Sequence, residues 1–215
     1  MIKMIRIFII VPSLIGQYLY RVFDSLGYKF NFFLECVISC FRPKFYPKLI
    51  LQQFLKIGFN SLPVVGLTAI FTGMVLALQS YTGFSRFSAE SVIPNVVALS
   101  ITRELSPVLA GLMVAGRSGA AIAAEIGTMK VTEQIDALGT LGTRPMQYLI
   151  APKIIASLIC IPILVLLGNT IGILGGYIIA IFKLEFNPNI YLHATIEYLH
   201  WIDIIQGTVK AAIFG

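Results

Sequence analysis

Charge is what this sequence has least of. Asp, Glu, Lys and Arg make up 12% of its 215 residues, where soluble domains carry about 25%. Half the usual charge cannot wet a globular surface, so a soluble enzyme and a disordered chain are excluded. Cysteine is scarce too: Cys36, Cys40 and Cys160 cannot build a disulfide scaffold. The two histidines, His193 and His200, lie in an acidic segment without zinc spacing. No glycine-rich phosphate loop is present, so the chain is not expected to hydrolyse nucleotide, and no cofactor or metal is expected on it. What is abundant is apolar: 57% of residues, with a mean hydropathy of +0.87. That leaves an all-α integral membrane protein, provided the apolar residues fall in blocks of membrane length.

They do. The intervals between Lys56 and Arg86 and between Lys153 and Lys183 each hold 29 uncharged residues, while about 20 helical residues cross a bilayer core. Spans are therefore expected near 60–82 and 154–181. Between them, 97–122 reads as a span whose Arg103, Glu104 and Arg117 face protein or water, because a central charge costs about 3 kcal/mol on insertion scales. Residues 204–215 begin a fourth span. Twelve residues give only about 18 Å of helix, so the sequence reads as a C-terminally truncated version of a longer protein.

The formal net charge of +6 is the net charge of residues 1–56, with eight cations and two anions. Interleaved with Phe, Ile and Leu, these cations read as a cytoplasmic, lipid-facing block and not as a nucleic-acid stripe. The N-terminus and the 125–153 connection (Lys130, Arg144, Lys153) are then cytoplasmic, and loops 83–96 and 183–203 are outside. Tyr81, Tyr191, Tyr198 and Trp201 would form an outer aromatic belt. Residues 1–56 are expected as an N-terminal region of amphipathic helices lying in the interface, and 57–215 as the membrane domain. For residues 7–20 two readings stand, an interfacial helix or a short first span.

Two patterns point to contacts. Gly168, Gly172 and Gly176, and likewise Gly116, Ala120 and Ala124, repeat every four residues. Such spacing lets membrane helices approach closely, either within the chain or across a dimer seam. From Glu125 to Leu138, Ile126, Met129, Ile135 and Leu138 recur at helical spacing among Glu125, Lys130, Glu133 and Asp136. This predicts an amphipathic helix over about 125–138, offered to a cytoplasmic partner or packed on the membrane surface.

Arg103-Glu104-Leu105-Ser106-Pro107 and the block from Val114 through Gly116-Arg117-Ser118-Gly119, Glu125-Ile126-Gly127-Thr128-Met129-Lys130 and Asp136-Ala137-Leu138 resemble the MlaE/YrbE family. These are permeases of ABC-type lipid transporters associated with MCE-domain proteins. Tyr148-Leu149-Ile150-Ala151-Pro152-Lys153, Gly172–Tyr177, Trp201-Ile202-Asp203 and Gly207–Ala211 continue the resemblance, which covers the chain from about residue 55. It implies a helical bundle of five spans, of which four begin here, with two permease copies pairing in a bacterial inner membrane or, alternatively, a plastid inner envelope. It implies an ATPase partner carrying ATP and Mg, a periplasmic MCE-domain protein, and a STAS-domain subunit as a further partner. Phospholipid is the implied cargo, and no nucleic acid is involved. Glu125, Met129, Lys130, Glu133, Ile135 and Asp136 would couple to the ATPase. Arg103, with Glu104 holding it in place, and Lys210 are candidates for the lipid path, an ion pair bridging helices being the other reading of Arg103. The alternative to transport is a membrane scaffold that anchors the MCE protein and the ATPase.

Overall fold

A computed structural model describes residues 2–40 and 46–215, with side chains from residue 16 onward. Lys3, Arg6, Arg42 and Lys44 of the basic block fall outside the described side chains. The described residues are helical, without a strand among them. The structure is an all-α bundle with three helices long and apolar enough to cross a membrane. In chain order the helices are α1 (Ile2–Cys40), α2 (Pro47–Phe87), α3 (Glu90–Val131), α4 (Gln134–Thr140), α5 (Met146–Phe182), α6 (Pro188–Tyr198) and α7 (Trp201–Phe214).

The three long helices overrun the expected spans, because helix continues past Lys56 and Arg86 in α2 and begins before Lys153 in α5. α2 already contains Lys56, so the expected boundary at 56/57 falls inside a helix. The expected outer loop 83–96 shrinks to a tight reversal at Ser88, whose φ of 53° places it in the left-handed region. The expected loop 183–203 contains α6, and Tyr191 does not join an interfacial belt. It is 2% exposed and packs edge-on against Tyr177 and Phe186. Burial pushes its hydroxyl up to about 12. α1 is one continuous helix, about 58 Å long at 1.5 Å per residue, in place of several interfacial pieces. From residue 16 onward Cys36 is its only buried residue.

The long helices widen locally into single π turns. Three of these, at Leu55–Phe59, Ile101–Leu105 and Met146–Ile150, are each followed by a proline: Pro63, Pro107 and Pro152. In each case the carbonyl four residues before the proline (Phe59, Arg103, Tyr148) lies inside the π turn. Proline has no N–H for that carbonyl, and a widened turn is one way a helix absorbs the loss. A fourth π turn, Ala115–Gly119, carries Arg117 between two glycines.

The core is a seam between α2 and α5. A Cβ on Gly73 would lie 1.9 Å from the Gly172 carbonyl oxygen, and one on Gly175 would lie 2.3 Å from that of Ile70. The helices touch backbone to backbone, as small residues permit in a membrane. Around this seam Ile57, Val65, Val114, Leu164 and Val165 bury one apolar cluster, and Ala77, Ile93, Val97 and Ile101 a second. α7 lies beside α3 and α5, with Gly207 against the Thr102 carbonyl and Gly111 against Phe214.

Candidate functional site

Among the described residues, ion pairs gather in three places. The first is where α3 meets α7. Arg103 Nε donates to Asp203 Oδ1 at 2.6 Å, and Asp203 is fully buried. The other Asp203 oxygen accepts the His200 backbone N–H at 3.1 Å, which caps α7. Lys210 Nζ donates to Glu104 Oε1 at 2.6 Å and to the Arg103 carbonyl at 3.0 Å. That carbonyl is the one Pro107 leaves without an N–H partner. Glu104 therefore does not hold Arg103 as the sequence suggested. Adjacent residues in a helix point about 100° apart, so the two reach different partners, Asp203 and Lys210, about a hundred residues away.

The second place joins the ends of three helices. Glu125 of α3 accepts from Lys56 of α2 and from Lys153 of α5, both at 3.1 Å. Lys153 is 5% exposed. Nearby, Arg117 Nη1 donates to Ser61 Oγ at 3.0 Å, and Ser61 and Ser118 hydroxyls stand 3.4 Å apart. The third place is the connection beyond α3. The predicted helix over 125–138 is two pieces: α3 runs to Val131, Glu133 adopts φ 58°, and α4 begins at Gln134. A left-handed residue ends a helix, and helical spacing alone does not reveal one. Lys130 and Asp136 pair across the break at 3.0 Å. Val131 and Leu141 are 85% and 78% exposed on either side of it, and Met129 and Ile135 are half-buried.

The two glycine-rich patterns part company. Gly168, Gly172 and Gly176 face Val65, Ala69, Gly73, Ile101 and Val97 of the same chain. Gly116, Ala120 and Ala124 lie on an exposed face of α3, with nothing near a Cβ built on Gly116.

A crevice lies between α2 and α3, reaching the second charge cluster at one end, and no sequence motif marked it. At the other end it opens as a groove of about 390 Å3 lined by Phe71, Thr72, Val75, Leu76, Gln79 and Leu105, the last being the residue after Glu104. Beside Val65, Ile101, Ser106 and Leu109 the space between the helices is a cavity of only about 10 Å3, which shares Thr72 and Leu105 with the groove. Farther along the two helices a separate cavity of about 150 Å3 is lined by Lys56, Arg117 and Glu125. The walls are apolar, with threonine hydroxyls satisfied by their own helix: Thr68 and Thr72 donate to carbonyls one turn back.

Comparison with known proteins accounts for this arrangement. The chain is 58% identical over 206 residues to a probable ABC transporter permease protein of Rickettsia bellii, covering 95% of this chain and 79% of that one. It is 34% identical over 204 residues to the intermembrane phospholipid transport system permease protein MlaE of Haemophilus influenzae, covering 94% and 78%. It is 37% identical over 181 residues to the chloroplastic protein TRIGALACTOSYLDIACYLGLYCEROL 1 of Arabidopsis thaliana, covering 84% and 52%. Residues 50–215 match the family model for permease MlaE. With this match and three long apolar helices, the chain is an integral membrane protein of the MlaE permease family, a permease of an ABC transporter.

Proposed function

We propose that this permease moves phospholipid between a bacterial inner membrane and a periplasmic MCE-domain carrier, working as a pair of copies driven by a separate ATPase. The observation that carries this reading is the groove at the Gln79 end of the α2–α3 crevice. It is apolar along its walls, as acyl chains require, and the stretch of α3 that supplies Leu105 to it also carries Arg103 and Glu104, whose pairs with Asp203 and Lys210 lie towards α7. Arg103 is 45% exposed even while paired to Asp203, so part of its guanidinium stays open to a headgroup. The name of the Haemophilus relative supports the cargo.

The cation-rich end of the bundle, with Lys56, Lys130, Arg144 and Lys153, faces the cytoplasm in this reading. The ATPase meets the Lys130–Asp136 turn, with exposed Val131 and Leu141 as its apolar contacts. Glu125 does not touch the ATPase. It ties the base of that turn to α2 and α5, so a push on the turn reaches both helices.

The test is lipid transport by the chain reconstituted into vesicles with its ATPase and MCE partners. Arg103→Glu should abolish transport, and Arg103→Lys should retain part of it. Full transport by Arg103→Glu, in protein whose melting is unchanged, sinks the headgroup role.

A further inference from the structure

The cytoplasmic-side widening of the α2–α3 crevice has a chemistry of its own. It is lined by Lys56, Gln53 and Asn60 of α2 and by Arg117, Ser118 and Ile122 of α3. Lys56 and Lys153 meet on one carboxylate, Glu125, which lines the cavity together with Arg117. Lys56 and Lys153 share that carboxylate, and among the described residues Arg117 has no acidic partner within 4 Å, only the Ser61 hydroxyl. The cavity lining therefore sets two cations, Lys56 and Arg117, against the single carboxylate of Glu125 and is net positive. Leaving a guanidinium unneutralised beside hydrocarbon is costly, and a planar guanidinium is the side chain best suited to grip phosphate oxygens.

Size and surroundings narrow the anion. About 150 Å3 is the room of about ten waters, enough for a phosphate but not for acyl chains. Moving along α2 from Asn60 towards the middle of the bundle, Val64, Leu67 and Phe71 are exposed apolar side chains. On α3, Leu112 and Val108 are also exposed. A polar, cationic cup thus lies along α2 from exposed apolar side chains, of which Phe71 lines the groove at the other end. That is the profile of an anionic amphiphile and not of a free ion.

We propose that this end of the crevice is a second phosphate station, where Lys56 and Arg117 hold the headgroup of an anionic phospholipid whose tails lie on Val64, Leu67 and Phe71. Its purpose rests on the lipid-transport reading, as the loading or unloading position opposite the Arg103 groove. The binding itself requires only that α2 and α3 stand in a bilayer. Lys56 can swing between Glu125 and the phosphate, since its side chain is more than half exposed.

The experiment is native mass spectrometry of the full chain, delipidated in detergent and titrated with dioctanoyl-phosphatidylglycerol, dioctanoyl-phosphatidylcholine or inorganic phosphate. Wild type should bind the glycerol lipid more tightly than the choline lipid. Arg117→Gln and Lys56→Gln should each weaken that lipid by about tenfold, as loss of a charged hydrogen bond implies, and Arg117→Lys should recover most of it. Arg103→Gln should leave this lipid in place. Unchanged affinity in both Arg117→Gln and Lys56→Gln overturns the station. So does displacement by inorganic phosphate at concentrations equal to the lipid's own, which would make it a free-anion site. If Arg117→Gln does not fold, the exposed Lys56→Gln gives the same reading. Lipid bound here while the chain reconstituted with its partners moves no lipid would refute the transport reading and leave the station standing.

Discussion

Lys153 is buried to 5% exposure and its ammonium has one carboxylate within reach, Glu125, which it shares with Lys56. Breaking a buried pair from one side strands the other charge and costs about 3–5 kcal/mol when both partners are dry. Glu125 is about a third exposed, and solvent screens part of that cost, so Glu125→Ala should lose about 2 kcal/mol, read as a lower melting temperature in detergent. Lys153→Met in the same background should recover most of the loss, since the stranded charge is gone. If the double variant melts no higher than Glu125→Ala alone, the buried ammonium is not the cause. At this scale the sequence was partly legible. Arg103, Glu104, Arg117 and Glu125 stand out because charge is rare in apolar stretches. Their partners Asp203, Lys210, Ser61 and Lys56 are 56 to 107 residues away, and nothing in local spacing encodes such pairings.

Between elements, the tightest glycine contact among the described residues is α2 against α5. The Cβ of Gly73→Ala would sit 1.9 Å from a backbone oxygen that cannot rotate away, so the helices must part along the seam. The expected loss is about 2 kcal/mol or more, seen as a lower yield of monodisperse protein and earlier melting. Gly127→Ala, where nothing lies within 4 Å of the new methyl group, is the control and should melt like wild type. Equal melting of the two would mean that the seam is not tight. The repeat at Gly168, Gly172 and Gly176 announced close packing, but not the neighbour. Gly116, Ala120 and Ala124 have the same spacing on an exposed face. The break at Glu133 was invisible for another reason: a left-handed glutamate leaves no mark in a periodicity of apolar residues, and Ile126, Met129, Ile135 and Leu138 keep their rhythm across it. The strap over that break gives a second test at this scale. Asp136→Lys sets two ammonium groups against each other at Lys130, should loosen the turn, and should reduce co-purification of the ATPase several-fold with little change in melting. Undiminished co-purification would remove this turn from the coupling path.

For the molecule as a whole, the long apolar blocks and the cation-rich end were readable because a bilayer imposes length and charge rules on any sequence. The crevice was not readable, because it is a shape left between two helices. Its form has a mechanical consequence. A groove of about 390 Å3 and a cup of about 150 Å3 are separated by a waist of about 10 Å3, room for about one water. No lipid passes that waist unless α2 and α3 separate, so transport requires a second arrangement of the two helices. Locking the waist should therefore stop transport without unfolding the protein. With Cys36, Cys40 and Cys160 replaced by serine or alanine, Ala69→Cys and Leu109→Cys place a thiol on each wall of the waist. A short reducible cross-linker joining them should abolish ATP-driven lipid transport in reconstituted vesicles, and reductant should restore it. Binding of the short-chain lipid at Lys56 and Arg117 should persist while the lock is closed, since neither residue lines the waist. Transport at an undiminished rate with the cross-link in place would show that lipid does not travel between α2 and α3.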